Sequence, residues 1–327
     1  MKVLITGASG FLGSHVAQQL ASAGHVVRAM VRRTSDTRFL KTLSGVTLCE
    51  GAVEDRDSCF EATKGMEAVI HSAGLVKART PAEFQRTNIE GTQNMLDAAL
   101  AQDGAIQRFV FVSSMTARAP SPDGRPLPLE APPRPVTAYG RSKLEAERQV
   151  LRTKDKLHVT AVRPTGIYGP RDREMFQLFQ YAKMRVLPYI GRPEGKLTLI
   201  HGEDCARAIV LCLAADIPSG RGYDLDDGQI YSRADLAEGL ENAIGKKAWV
   251  SFPLPNALVY SVGMLGEAYG RAANKAVMLK REKVDELLQQ WVGDSAPARK
   301  ELGFEPKIFW REGAKSTARW YRDNGWL

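Results

Sequence analysis

Tyr139 and Lys143 stand four residues apart in Tyr139-Gly140-Arg141-Ser142-Lys143, so on a helix continuing through LEAERQVL they share one face. An ammonium about 4 Å from a phenol, at an effective dielectric near 20, favours phenolate by roughly 4 kcal/mol, or about 3 pK units. That draws Tyr139 from ~10 towards neutrality, where it suits general acid–base work. Ser113 and Ser114 close the preceding apolar run RFVFVSS. A serine just beyond the carboxyl end of a strand can donate to a substrate oxygen, and we expect Ser114 to do so.

A second constellation opens the chain. Thr6-Gly7-Ala8-Ser9-Gly10-Phe11-Leu12-Gly13 lies between the apolar run KVLIT and the helical pattern of Phe11, Leu12, Val16 and Leu20. Between a strand and a helix, backbone N–H groups and the helix dipole favour a pyrophosphate. The spacing is GxxGxxG, one residue longer than GxGxxG, and its strand–loop–helix setting gives it meaning. Gly7, Ser9, Gly10, Phe11, Leu12 and Gly13 are the expected cradle of a dinucleotide.

The next strand, VVRAMV, ends in Val31-Arg32-Arg33-Thr34-Ser35, where an acidic residue would select a free ribose 2′-hydroxyl. None is present, and a charge-assisted arginine–phosphate contact is worth about 1.5–3 kcal/mol. This predicts NADP(H) in preference to NAD(H), with Arg32 as the main contact and Arg33 or Arg38 as helpers.

These side chains need a scaffold. Apolar runs at 2–6, 26–31, 46–49, 68–71, 108–114 and 159–164 alternate with helical stretches, which predicts an α/β fold with a doubly wound parallel sheet over residues 1–165. From 166 to 327 the chain becomes helix-rich, with strands expected near 197–201 and 221–226, and reads as a smaller substrate lobe. The apolar helix expected over 204–215 suggests that 203–226 packs back onto the first lobe. Seven prolines between 120 and 135 predict a stiff irregular loop, serving as a surface connector or as a lid over the site.

The 327 residues suffice for one large α/β unit or two joined lobes, and 44% apolar with 25% charged residues excludes a disordered or fibrous chain. The formal charge of +8 is spread along the sequence without an arginine-rich tail, so no nucleic-acid partner is expected. The four cysteines form no CxxC and the five histidines no HExxH, so no metal is expected. MKVLIT runs directly into the glycine loop without a signal-peptide pattern, which reads as a cytoplasmic protein with free thiols. Ala248 to Gly266 is uncharged over nineteen residues, but Pro253 and Pro255 leave only a short helix near 256–268, too short to span a bilayer. We read it as a wall of the substrate lobe, with contact at a membrane surface as the other reading.

Taken together, these residues resemble the extended short-chain dehydrogenase/reductase family over essentially the whole chain. TGASGFLG matches its TGxxGxxG, YGRSK its YxxxK, HSAG at 71–74 its strand-four motif, NIEGT at 88–92 its NxxGT, and RPTGIYGPRD its RPxxxYGP segment. The resemblance implies Ser114, Tyr139 and Lys143 as a catalytic triad, with Asn88 supporting a proton relay. It implies Val53, Ala73, Gly74, Pro164, Gly166 and Ile167 along the cofactor, and Thr116, Lys77 and Tyr168 towards a small-molecule substrate.

Two departures matter. Ala52 stands where the family usually has an aspartate for the adenine amino group, so the Val53 backbone, an inward Asp55 or looser binding must serve. The Arg-Asp pair and the Thr-Asp-Glu of nucleotide-sugar enzymes are absent, whereas VRRTS is similar to the branch of dihydroflavonol reductases and 3β-hydroxysteroid dehydrogenases. The expected activity is carbonyl–alcohol interconversion on a small, lipophilic substrate. The alternatives are a nucleotide-sugar epimerase or dehydratase with tightly bound NAD, its diphosphate held by Arg171, Arg173, Arg185 and Arg192, and a cofactor-sensing scaffold without turnover. Homodimerisation through the helices after Asn88 and around Tyr139 is a further expectation by analogy.

Overall fold

The computed structural model describes residues 1–277 and 279–327. Its first half alternates β1 (Lys2–Thr6), α1 (Phe11–Ser22), β2 (Val26–Val31), β3 (Val46–Glu50), α2 (Arg56–Thr63), β4 (Ala68–His71), a short α3 (Pro81–Phe84), α4 (Gly91–Leu100), β5 (Arg108–Val112), α5 (Ala138–Arg152) and β6 (Val159–Pro164). The second half runs through β7 (Gly166–Tyr168), α6 (Phe176–Lys183), β8 (Val186–Ile190), β9 (Lys196–Leu197), β10 (Leu199–His201), α7 (Gly202–Leu211), β11 (Arg221–Leu225) and β12 (Tyr231–Ser232). It closes with α8 (Arg233–Ile244), β13 (Val250–Leu254), α9 (Asn256–Ala272), α10 (Arg281–Leu288), α11 (Ala296–Leu302) and α12 (Trp310–Asp323).

Seven strands form one parallel sheet in the order β11-β6-β5-β4-β1-β2-β3. The continuous apolar runs follow from burial on both faces. Val3 and Ile5 pack with Val16 and Leu20 of α1 and Ile209 of α7, while Leu4 of the same strand joins Val69, Phe109 and Phe111 on the other face. β11 is the seventh strand and α7 packs against α1, so the segment between residues 202 and 225 completes the sheet layer.

A buried ionic network secures that edge. Asp224 on β11, fully buried, accepts from Arg118 at 2.5 Å, and Arg163 on β6 binds Glu147 of α5 at 2.6 Å. Removing one partner from such a set costs about 3–5 kcal/mol, because the remaining charge is stranded. Arg118 also donates to the Pro128 carbonyl, and Ser121 pairs with Gln290. The proline-rich segment is thereby braced as a connector; residues 120–135 line neither of the cavities below, against the lid reading.

The second lobe departs from expectation in detail. The strand expected at 197–201 is two short ones, because Thr198 turns its N–H to the Trp291 carbonyl; β9 pairs with β12 and β10 with β7. β8 and β13 form a parallel ribbon that the sequence concealed, since Pro188 and Pro253 fit only an edge pair. The helix expected over 204–215 spans Gly202–Leu211, and that expected near 256–268 continues to Ala272. α8 shows a start and a stop signal, a Ser232/Asp235 capping box and a left-handed Gly245. The C-terminal aromatics are packing: Trp310 and Tyr321 are buried with Tyr168 and Phe179. Among the described residues, no helix is long and apolar enough to cross a membrane.

Candidate active site

β1, β4, β5 and β6 all point their carboxyl ends at a cleft of about 680 Å³, placed where the strand order reverses between β1 and β4. Gly7 has φ +72°, and a Cβ there would sit 2.8 Å from the Ala73 nitrogen; one on Gly13 would sit 2.1 Å from the Gly7 carbonyl oxygen. Glycine is what lets this loop nest against the end of β4 while α1 begins beneath it. Gly10 caps α1 without a side-chain bond and the first turn carries no acidic residue, so its N–H groups and dipole suit a pyrophosphate. Gly7, Ser9, Gly10, Phe11, Leu12 and Gly13 all line the cleft.

At the end of β2, Arg32 lines the cleft together with Thr34 and Ser35, in a turn closed by Ser35 N–H to the Arg32 carbonyl. Arg33 is exposed outside the cleft, and Arg38 is held by Asp36, so neither helper is placed there. Thr34 and Ser35 follow the arginines in the VRRTS run, whose residue types alone do not mark them as part of the cleft. Val53 lines the cleft with Ala52 and Glu54. Asp55 does not turn inward; it caps α2 by accepting from Asp57 N–H at 3.1 Å.

The opposite end gathers the reactive side chains. Ser114, Tyr139, Lys143, Ala73, Gly74, Pro164 and Ile167 line the cleft, whereas Gly166 is exposed on β7 outside it. Thr116 donates its hydroxyl to Ser114 Oγ at 2.9 Å and so acts through Ser114 instead of facing the cleft. Lys143 is buried; its Nζ donates to the Val112 carbonyl at 2.5 Å and lies 4.3 Å from the centre of the Phe111 ring.

The expected electrostatics are corrected here. Burial pushes Lys143 down to about 7, opposed by Glu147. Burial pushes Tyr139 up to about 12, with Glu286 adding to the rise and the Ser114 hydroxyl drawing it down. The ammonium rests on a carbonyl and a ring face, and burial outweighs the through-space lowering expected of a Tyr–Lys pair.

Asn88 sits in a π-helical turn, Gln85–Glu90, a geometry that often marks functional sites. Its amide holds the chain beyond β4 from both sides, accepting from Leu75 N–H at 2.7 Å and donating to the Leu75 carbonyl at 3.0 Å, and it also donates to Ser142 Oγ at 2.9 Å. Behind it, Ala73 N–H donates to Thr6 Oγ, Thr6 to His71 Nδ1, His71 Nε2 to Thr92 Oγ, and Thr92 to the Asn88 carbonyl. Each hydroxyl in that chain has one proton to give, which fixes His71 as the neutral Nε2–H tautomer, and burial holds it down to about 3. The sequence offered His71 only within its HSAG motif.

A second chamber of about 870 Å³ begins at Tyr139 and Val76, which border both cavities. It lies among the 76–80 loop, α3, the start of α5, α9 and α10. Lys77 is on its wall and pairs with Glu174 of the cofactor cleft at 3.0 Å. Tyr168 is on neither wall; it is fully buried, edge-on to Trp310 and His201, so the substrate role expected of it is replaced by packing. The four arginines expected around a diphosphate do not gather in this chamber. Arg171 donates to Ser14 Oγ at 2.9 Å and lies over Phe39, Arg173 lies over Trp326, Arg185 lies over Trp249, and Arg192 lines neither cavity. Arg171 and Arg173 belong to the cofactor cleft instead, a placement the YGPRD motif gave no means of choosing.

Residues 3–225 match the model of the NAD dependent epimerase/dehydratase family. A ceramide reductase of Caulobacter vibrioides is 34% identical over 99% of this chain and 96% of its own. A 4-hydroxy-2-methyl-3-oxo-4-farnesyl-3,4-dihydroquinoline-1-oxide ketoreductase of Stigmatella aurantiaca is 30% identical over 96% of this chain and 94% of its own. The crystal structure of gox2253 superposes with a TM-score of 0.82 at 28% identity, covering 99% of both chains.

Proposed function

The chain belongs to the NAD-dependent epimerase/dehydratase family of extended short-chain dehydrogenases/reductases, and from that premise we propose that it reduces the carbonyl of a lipophilic small molecule to a secondary alcohol, using NADP(H). The observation that carries this reading is the position of Tyr139, whose side chain is common to the dinucleotide cleft and the second chamber, with the Ser114 hydroxyl beside it. A proton donor belongs at such a junction.

The bound nicotinamide supplies the hydride. Ser114, its hydroxyl oriented by Thr116, donates to the substrate carbonyl oxygen and polarises it. Tyr139, kept protonated by burial, then delivers its proton to that oxygen as charge develops. Lys143, buried and lining the cleft, is the residue to hold the nicotinamide ribose and supply charge behind the tyrosine. Asn88 fixes the chain beyond β4 and the first turn of α5 through Leu75 and Ser142. Arg32, Thr34 and Ser35 suit a 2′-phosphate.

The lipophilic substrate class is drawn from the ceramide and farnesylated quinoline named for the two relatives. The scattered positions of Arg171, Arg173, Arg185 and Arg192 weigh against a nucleotide diphosphate in the chamber. The test is to denature the purified protein, identify any released nucleotide by mass spectrometry, and screen long-chain ketones with NADPH. Turnover that falls by about 100-fold or more in Tyr139→Phe supports the reading. Stoichiometric release of NAD⁺, or full turnover by Tyr139→Phe, defeats it.

A further inference from the structure

α9 is turned the opposite way from an ordinary surface helix. Such helices bury their apolar stripe and show polar residues to water. Here the face packed on Val277 and on residues 279–284 carries Gly263, Gly266 and Gly270, where an added Cβ would meet Val284, the Leu279 carbonyl and Val277. The face left outside carries Leu258, Val262, Leu265 and Tyr269, spaced i, i+4, i+7 and i+11, with Leu265 70% exposed. Preceding it in the chain, Trp249 is 72% exposed, with Val250 and Phe252 also showing on β13.

Charge frames this apolar surface. Lys246 and Lys247 precede it, Arg271 and Lys275 follow it, and Glu267 is the only carboxylate between 246 and 275. Glu267 is turned inward and paired with Arg271 and Arg281. The Arg185 guanidinium lies 4.4 Å from the Trp249 ring, keeping a further cation at that end. The inner side of the same helix, through Tyr260, Glu267 and Gly270, is a wall of the second chamber.

We propose that the outer face of α9, with Trp249 and Phe252, docks on an anionic membrane surface and brings the second chamber to its lipid-borne substrate. The proposal rests on the lipophilic-substrate reading above. Exposed aliphatic side chains framed by basic residues and interfacial aromatics fit the boundary between headgroups and acyl chains. The same basic frame repels itself in a two-fold pairing of this face with a second copy, but attracts acidic headgroups. The helix lies in the interface and does not cross it.

The experiment is co-sedimentation of the full chain with phosphatidylcholine vesicles, with and without phosphatidylglycerol. We expect the bound fraction to be at least about fivefold larger on the anionic vesicles, to fall with salt, and to be lost in Leu258→Glu/Leu265→Glu and reduced in Lys246→Glu/Lys247→Glu. NADPH binding and thermal melting of the variants confirm that they fold. Wild-type protein that stays in the supernatant, or a leucine variant that pellets like wild type, overturns the proposal. So does a wild-type dimer, seen by sedimentation velocity, that Leu265→Glu dissociates, since the face is then covered by a second copy. Tyr139→Phe should bind vesicles normally, so a failed reductase reading and a failed docking surface are told apart.

Discussion

Lys77 and Glu174 meet at 3.0 Å across the boundary between the two cavities, joining the loop after β4 to the loop after β7. Both side chains are about half exposed, so the pair contributes at most about 1 kcal/mol to stability. The pair bridges two segments at the mouth of the cleft proposed to hold the cofactor, so we expect its consequence to be kinetic. Lys77→Ala and Glu174→Ala should each speed NADPH release by roughly two- to fivefold, a loss of that size. The exchange Lys77→Glu/Glu174→Lys should restore the slow rate. Stopped-flow fluorescence of the displaced cofactor reads this directly, and an exchanged pair that releases as fast as the single variants rules out a bridging role.

In the proposed reading, Arg32 is the residue that selects NADP(H). It is exposed and lines the cleft, so a 2′-phosphate contact should sit at the lower end of the range for charged hydrogen bonds. Arg32→Ala should weaken NADPH by roughly 10-fold and leave NADH nearly unchanged, since the turn holding Thr34 and Ser35 is closed by the main chain of residue 32, which alanine keeps. Calorimetric titration of both cofactors separates these outcomes. Equal wild-type affinity for NADH and NADPH would refute the assignment.

The parallel sheet was legible because its strands are buried on both faces and therefore written as unbroken apolar runs, Lys2–Thr6 and Arg108–Val112 among them. The glycine loop was legible because its steric demand at Gly7 and Gly13 admits one residue type. The second lobe was less so. Its ribbons are two to five residues long, that of β8 and β13 carries prolines, and α9 hides its true orientation because its buried face is largely glycine and its exposed face is apolar. Tyr168 shows the same limit within the site: adjacency in a motif placed it beside the substrate, while the packing of Trp310 and Gly313 took it into the core.

The Tyr139–Lys143 pair makes a prediction about pH. Tyr139, raised to about 12, stays protonated through the neutral range, so reduction has its proton donor and its kcat should be flat between pH 6 and 9. Oxidation of the alcohol needs phenolate, whose population below its pKa rises tenfold per pH unit, so that kcat should climb through the same range by up to about that factor. Lys143, lowered to about 7, carries its charge mainly below pH 7. Replacing it by methionine should therefore cost oxidation more at pH 6 than at pH 9, at saturating cofactor. A penalty that is constant with pH would show that the lysine acts by position and not through its charge.

His71 extends the argument to stability. Its pKa is about 3 in the fold, where burial and the Lys143 charge disfavour a second proton, against 6.5 in the unfolded chain. As pH falls below 6.5 the unfolded chain binds a proton that the folded one refuses, and stability drops by about 1.4 kcal/mol per unit for this group. His15, also held to about 3, adds a second such loss. Asp172 and Asp227 work in the opposite sense: burial raises them to about 6 and about 7, so the fold takes up protons that the unfolded chain binds only near pH 4, offsetting part of the decline. The net slope thus mixes groups, and the informative quantity is a difference between proteins. His71→Asn should lower stability at pH 7, since it breaks the bond chain from Thr6 to Asn88, yet flatten the dependence between pH 6 and 4.5 by close to one proton. Urea unfolding at several pH values measures both, and a variant with the wild-type slope would mean that His71 is charged in the fold or stays neutral in the unfolded chain as well.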